Sequence, residues 1–93
     1  MTEKQFGQGI SALITTYNES KVLKECLDQL SFCNEIIMVD LGSTDKTLEI
    51  GEQFGAKIFN HKLVPYAEKV LNFSIDKARN NWVLFVDPDM YFP

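Results

Sequence analysis

The chain has 93 residues, 45% of them hydrophobic and 12% aromatic, the make-up of one small folded domain rather than a disordered segment. A net charge of −4, from 13 acidic and 9 basic residues without a run of either sign, excludes a basic groove for nucleic acid. The opening MTEKQFGQG carries no apolar stretch and does not read as a secretory signal, and no segment reaches the ~18 apolar residues of a membrane span.

Residues 1–9 read as a polar tail and 10–93 as the folded unit. Ile10–Thr16 (ISALITT) is a short buried strand. ESKVLKECLDQL then places Val22, Leu23, Cys26, Leu27 and Leu30 on one helical face, with Asn18 as N-cap and Glu19 favourable in the first turn. Cys26 and Cys33 lack the CxxC spacing of zinc or redox sites and read as reduced thiols. Glu35–Asp40 (EIIMVD) is a second strand. Ser43 caps a second predicted helix, STDKTLEIGEQF, which buries Leu48, Gly51 and Phe54 and stops at Gly55.

Ala56–Asn60 (AKIFN) is a third strand, followed by the loop HKLVPY, where His61 reads as solvated and Tyr66 as core or rim. The third helix carries an apolar stripe of Ala67, Val70, Leu71, Ser74, Ile75 and Ala78. Trp82–Val86 (WVLFV) is the fourth strand. The resulting βαβαβαβ order predicts an α/β fold: a Rossmann-like parallel sheet, strand order 3-2-1-4, with right-handed crossovers and helices on both faces. The continuous apolar runs IIMV and WVLFV suit strands covered on both sides.

In such sheets ligands bind beyond the carboxyl ends of the strands, where strand order reverses. Three polar segments end up there: TTYNE (Thr15–Glu19), DLGSTD (Asp40–Asp45) and the DPD of Asp87–Asp89. Each has a plain structural reading as a turn or helix cap. Together they have a chemical one. Two carboxylates one residue apart can hold Mg²⁺ or Mn²⁺ against a diphosphate, since these ions take one or two carboxylates plus substrate phosphates. Asp40 and Glu19 stand where they can accept hydrogen bonds from a base or ribose. Neither GxGxxG nor GK[ST] occurs, so no glycine-rich phosphate loop is present.

ALITTYNES, IIMVDLGSTDKTLEI, GAKIF, the helix bearing Asn72 and WVLFVDPDM resemble the N-terminal half of a family 2 glycosyltransferase of the GT-A fold, from about Ile10 to Tyr91. In style they are similar to members that extend lipopolysaccharide core or other cell-envelope glycans. The resemblance implies that Thr16, Tyr17 and Glu19 wrap the nucleotide base and ribose. It implies that Asp40 bonds the base, often uracil, with Ser43 beside it. Asp87 and Asp89 would meet ribose and the metal-diphosphate, Asp89 foremost as metal ligand, and Asn72 would lie near the donor. Leu41, Leu71, Pro88 and Met90 depart from the commoner family residues at their positions.

The implied activity is metal-dependent, inverting transfer from a nucleoside-diphosphate sugar, with UDP favoured, to a glycan or glycolipid acceptor. The general base is expected beyond Pro93, in a continuation of the family domain, which makes the chain a donor-binding half. The alternative is a nucleotide-sugar-binding module without catalysis. VLFVDPDM is also similar to the nucleophile motif of haloacid dehalogenase phosphatases, although here only four residues follow Asp89. The protein is expected in the cytoplasm, including a peripheral position at the inner face of the membrane. The apolar fourth strand, an edge in the order 3-2-1-4, is expected to pair with its copy in a homodimer.

Overall fold

A computed structural model describes residues 7–63 and 67–89. It contains β1 (Gly7–Thr16), α1 (Leu23–Asp28), β2 (Glu35–Asp40), α2 (Thr47–Gln53), β3 (Lys57–Asn60), α3 (Ala67–Lys77) and β4 (Asn80–Val86). The four strands form one sheet in the order β3-β2-β1-β4, every neighbouring pair parallel. This is the architecture that the alternation of apolar runs and helical stripes predicts, with the strand order 3-2-1-4 expected for it.

Alternate residues of β1 feed the two faces of the sheet, as the pleat requires. Ala12 and Ile14 join Met38 and Val86 beneath α1, whose Leu23, Cys26 and Leu27 are buried together with Leu30; Leu48, Ile50 and Phe54 of the α2 region pack on the same layer. Leu13, Ile37 and Val39 face the other way, against Val70 and Ala78 on and just after α3. A helix of α1's length has no stability of its own. Its three buried apolar side chains hold it down, at about 1.5–3 kcal/mol for each one removed from water. α2 approaches the sheet closely through Gly51, where a Cβ would stand 2.5 Å from Met38 Cε.

Several element boundaries differ from the sequence expectation. β1 extends back to Gly7, which pairs with Asn80 across a register irregularity, so the polar tail does not run to residue 9. Residues 1–6 lie outside the described residues, as do Tyr66, Met90 and Tyr91. Asn18 does not cap α1: it adopts a left-handed φ of 53°, and the helix begins at Leu23 after Val22, with no side-chain cap. Ser43 does not cap α2, which starts at Thr47. Gly55, at φ 73°, does end that helix.

The apolar stripe of α3 is only partly buried. Val70, Ser74 and Ala78 face the sheet, whereas Leu71 and Ile75 are 40% and 44% exposed. The cause is lateral placement: α3 packs over β2 and β1, and among the described residues Val83 and Phe85 of β4 stay 37% and 46% exposed. His61 is half-buried, its ring edge-on to Phe73 with centroids 4.9 Å apart, rather than simply solvated.

At the amino end of the sheet Glu35 ties the strands together. It accepts from Ser11 Oγ at 2.5 Å, Arg79 N at 2.6 Å, Lys57 Nζ at 3.0 Å and Asn80 Nδ2 at 3.3 Å. In the local sequence Glu35 reads only as the start of a strand.

Candidate functional site

The carboxyl ends of β1, β2 and β4 lie side by side. Ile14 is in register with both Met38 and Val86, and Thr16 with Asp40, so TTYNE, DLGSTD and DPD leave the sheet along one rim. The spacing of apolar runs alone delivers this, because each strand spends its hydrophobic residues inside and reaches the rim with its first polar ones.

Asp40 is 1% exposed and fully engaged. Its Oδ1 accepts from Thr16 Oγ1 at 2.7 Å and Ser43 Oγ at 2.6 Å; its Oδ2 accepts from Ser43 N at 2.8 Å and Gly42 N at 3.1 Å. Burial by itself would raise its pKa. The bonds from Ser43, Thr16 and Gly42 outweigh burial and hold the carboxyl below its ordinary value, as an anion with four donors. Gly42, at φ 100°, makes the turn that brings both N–H groups onto Oδ2. Ser43, expected to cap α2, is instead spent on Asp40 and on the neighbouring loop.

Tyr17, the residue after β1, is 44% exposed. Glu19 is half-buried, and its pKa is raised, mainly by desolvation and further by the negative charges of Asp89 and Asp45. Glu19 thus feels the charge of Asp89, which brings the first and fourth strand ends into one electrostatic site. Asp87 and Asp89 are both exposed, and the thiol of Cys26 on α1 donates to the main-chain carbonyl of Asp87 at 3.4 Å. Asn72 stands exposed on α3, on the opposite side of the sheet from α1 and α2.

Asp45 is exposed and carries its pKa down to about 2, chiefly through the hydroxyl of Thr47, with further bonds from the main-chain N–H of Thr47 and from Ser20. Thr47 itself is completely buried. In the sequence Asp45 reads as part of the rim segment DLGSTD and of a helix start, and nothing there singles out Thr47. The available signal was the dense S-T-D-K-T run of side-chain acceptors beside a second polar loop.

Among the described residues no three His, Cys, Asp or Glu side chains converge as a metal cage. The rim fits a different kind of metal site. Asp87 and Asp89, both exposed, are hard oxygen donors of the kind that could hold a divalent ion completing its shell with phosphate oxygens and water.

The glycosyl transferase family 2 model matches residues 11–93. A glycosyltransferase of Rickettsia bellii, otherwise uncharacterized, is 35% identical over 81 residues, covering 86% of this chain and 27% of that protein. A PGL/p-HBAD biosynthesis glycosyltransferase of Mycobacterium bovis BCG is 33% identical over 89 residues, covering 85% of this chain and 34% of its own length. The chain therefore spans 27% and 34% of the length of these relatives. Among solved structures, glucosyl-3-phosphoglycerate synthase of Mycobacterium tuberculosis, crystallised with Mn²⁺, UDP and glucosyl-3-phosphoglycerate, superposes with a TM-score of 0.75 at 25% identity, over 94% of this chain and 36% of that one. The parallel sheet of order 3-2-1-4, its polar rim and the match across residues 11–93 agree: the chain has the GT-A architecture and belongs to glycosyl transferase family 2.

Proposed function

We propose that this chain is the donor-binding half of an inverting, metal-dependent glycosyltransferase that uses a UDP-sugar in cell-envelope glycan synthesis. The observation that carries the reading is the convergence of Thr16–Glu19, Asp40–Ser43 and Asp87–Asp89 on one rim. The UDP complex of the mycobacterial synthase and the biosynthetic relative support the choice of donor and pathway class.

In this reading the ionised, acceptor-only Asp40 matches the imide N–H of a uracil. Both hydroxyls on its Oδ1, from Thr16 and Ser43, can rotate to free a lone pair for that contact. Tyr17 offers a ring face to the base, and Glu19 accepts from a ribose hydroxyl. Asp87 and Asp89 would meet the ribose and the diphosphate and hold Mg²⁺ or Mn²⁺ there, and Asn72 would lie near the donor. The metal, when bound, would neutralise the diphosphate and stabilise it as a leaving group.

Transfer would form a bond from an acceptor oxygen to the anomeric carbon as the bond to the diphosphate breaks on the opposite face, which inverts the centre. None of the rim residues is assigned to take the acceptor's proton. The base and the glycan or glycolipid acceptor site are proposed to belong to the part of such proteins that this chain does not match. No helix among the described residues is long and apolar enough to cross a membrane. The proposed location is the cytoplasm, including the inner face of the membrane.

A second copy of the chain is the proposed protein partner. Among the described residues β4 pairs with β1 alone, and its Trp82, Val83 and Phe85 are 69%, 37% and 46% exposed. Unpaired apolar edges template further strand pairing.

The donor reading is tested by amide chemical-shift mapping with UDP and Mg²⁺. Perturbations should concentrate at Tyr17–Glu19, Leu41–Thr44 and Asp87–Asp89. A response confined to the amino end of the sheet, around Glu35 and Asn80, would reject it.

A further inference from the structure

Three successive main-chain N–H groups of the loop after β1 are each taken by a side chain of the segment before or opening α2. Asn18 N donates to Ser43 Oγ at 2.8 Å, Glu19 N to Thr47 Oγ1 at 2.9 Å and Ser20 N to Asp45 Oδ2 at 3.2 Å. Two bonds return to Asn18 Oδ1, from Thr44 N at 2.7 Å and from Thr44 Oγ1 at 3.4 Å. The left-handed φ of Asn18, 53°, turns the chain so that these groups can point the same way.

Runs of N–H groups in such a turn ordinarily form a concave anion-binding nest. Here the anion-like partners are built in. A diphosphate finds no free donors among these three groups, and the loop is left to present Tyr17 and Glu19 to a nucleoside. The phosphate end then falls to the β4 side.

Thr47 is the centre of the arrangement. Fully buried, its Oγ1 accepts from Glu19 N and donates to Asp45 Oδ1, and its own N–H donates to the same oxygen at 2.9 Å. The other oxygen of Asp45 holds Ser20. A valine here would keep the shape and remove the hydroxyl.

We infer that Thr47, acting with Asp45, is a positioning residue that clasps the nucleoside-facing loop in its binding conformation. The functional half of this inference rests on the donor-binding reading above. Thr47 touches no substrate; it acts through the backbone of Glu19.

The test measures amide hydrogen exchange and UDP affinity with Mg²⁺ on the full 93-residue chain, for wild type, Thr47→Val, Thr47→Ser and Asp45→Ala. Thr47→Val should speed exchange at Glu19 and weaken UDP binding, each on the order of tenfold, the worth of one hydrogen bond. Leu13, within the β1 ladder, should keep its protection. Thr47→Ser should restore both quantities. Because Asp45 is exposed, Asp45→Ala keeps the test open if Thr47→Val does not fold; it should speed exchange at Ser20. Unchanged protection of Glu19 in Thr47→Val, or protection lost with UDP affinity intact, overturns the inference. If the wild type bound no UDP, the donor reading would fail by itself, and the clasp would stand or fall on the exchange at Glu19.

Discussion

The thiol of Cys26, in the middle of α1, donates to the main-chain carbonyl oxygen of Asp87, 3.4 Å away. A core helix thereby holds the residue at which β4 leaves the sheet, and the position of the first carboxylate depends on the packing of Leu23, Leu27 and Leu30. Cys26 is 2% exposed, so an alkylating reagent reaches it only when α1 opens. Cys33 is half-buried, and burial pushes its thiol pKa up, which slows it without sealing it off. Iodoacetamide labelling followed by mass spectrometry should show slow modification of Cys33 and protection of Cys26 until denaturant is added. Equal labelling of both thiols under native conditions would show that α1 does not hold Asp87 in place.

Glu35 governs acid stability. Burial alone would raise its pKa, but the bonds from Ser11, Arg79 and Lys57 hold it below its ordinary 4.5. A carboxylate depressed in the folded state stabilises above its unfolded pKa, and that stability is lost as pH falls through the folded one. Asp40 behaves in the same way from 3.8, and Asp45 from 3.8 down to about 2. Thermal melts should therefore fall progressively below about pH 4.5. Glu35→Ala, which leaves the buried Ser11 without its acceptor, should cost about 1–3 kcal/mol at pH 7. Glu35→Gln should flatten the pH dependence just below 4.5. A melting temperature independent of pH down to about 3 would contradict the assignment.

The edge of β4, unpaired among the described residues, predicts self-association. Sedimentation at tens of micromolar should find a dimer, and Val83→Lys or Phe85→Lys should dissociate it, because a charge on an edge strand opposes pairing. A stable monomer with protected β4 amides would remove the proposed partner.

The chain by itself is expected to transfer no sugar. Loss of a general base forfeits a factor of about 10²–10⁴, and loss of acceptor positioning adds to it. Robust transfer by the 93 residues alone would mean that one of the rim carboxylates is the base.

The sheet was legible in the sequence because IIMV and WVLFV are continuous apolar runs and ISALITT a short mainly apolar one, separated by helical stripes. The rim was legible for the same reason: Asp40 and Asp87 are the first charged residues after such runs. Helix starts were not. Asn18 and Ser43 have the side chains of N-caps, but each bonds across to the other's loop, a choice fixed by tertiary neighbours rather than local sequence. The stripe of α3 was misjudged at Leu71 and Ile75 because periodicity gives the apolar face of a helix but not how far the sheet extends beneath it. Glu35 was overlooked since all its partners come from other strands or from the turn before β4.

Titration calorimetry of UDP with and without Mn²⁺, on wild type and Asp89→Asn, addresses the donor-binding proposal most directly. The chain carries a net charge of −4, and Glu19 already registers the unneutralised charge of Asp89, so a bare diphosphate should be repelled. Binding should appear only when Mn²⁺ is present, and Asp89→Asn should abolish the effect of the metal while leaving the fold intact. Binding of equal strength without metal, or an Asp89→Asn variant that responds to Mn²⁺ as the wild type does, would contradict a metal-bridged nucleotide-sugar site on this rim.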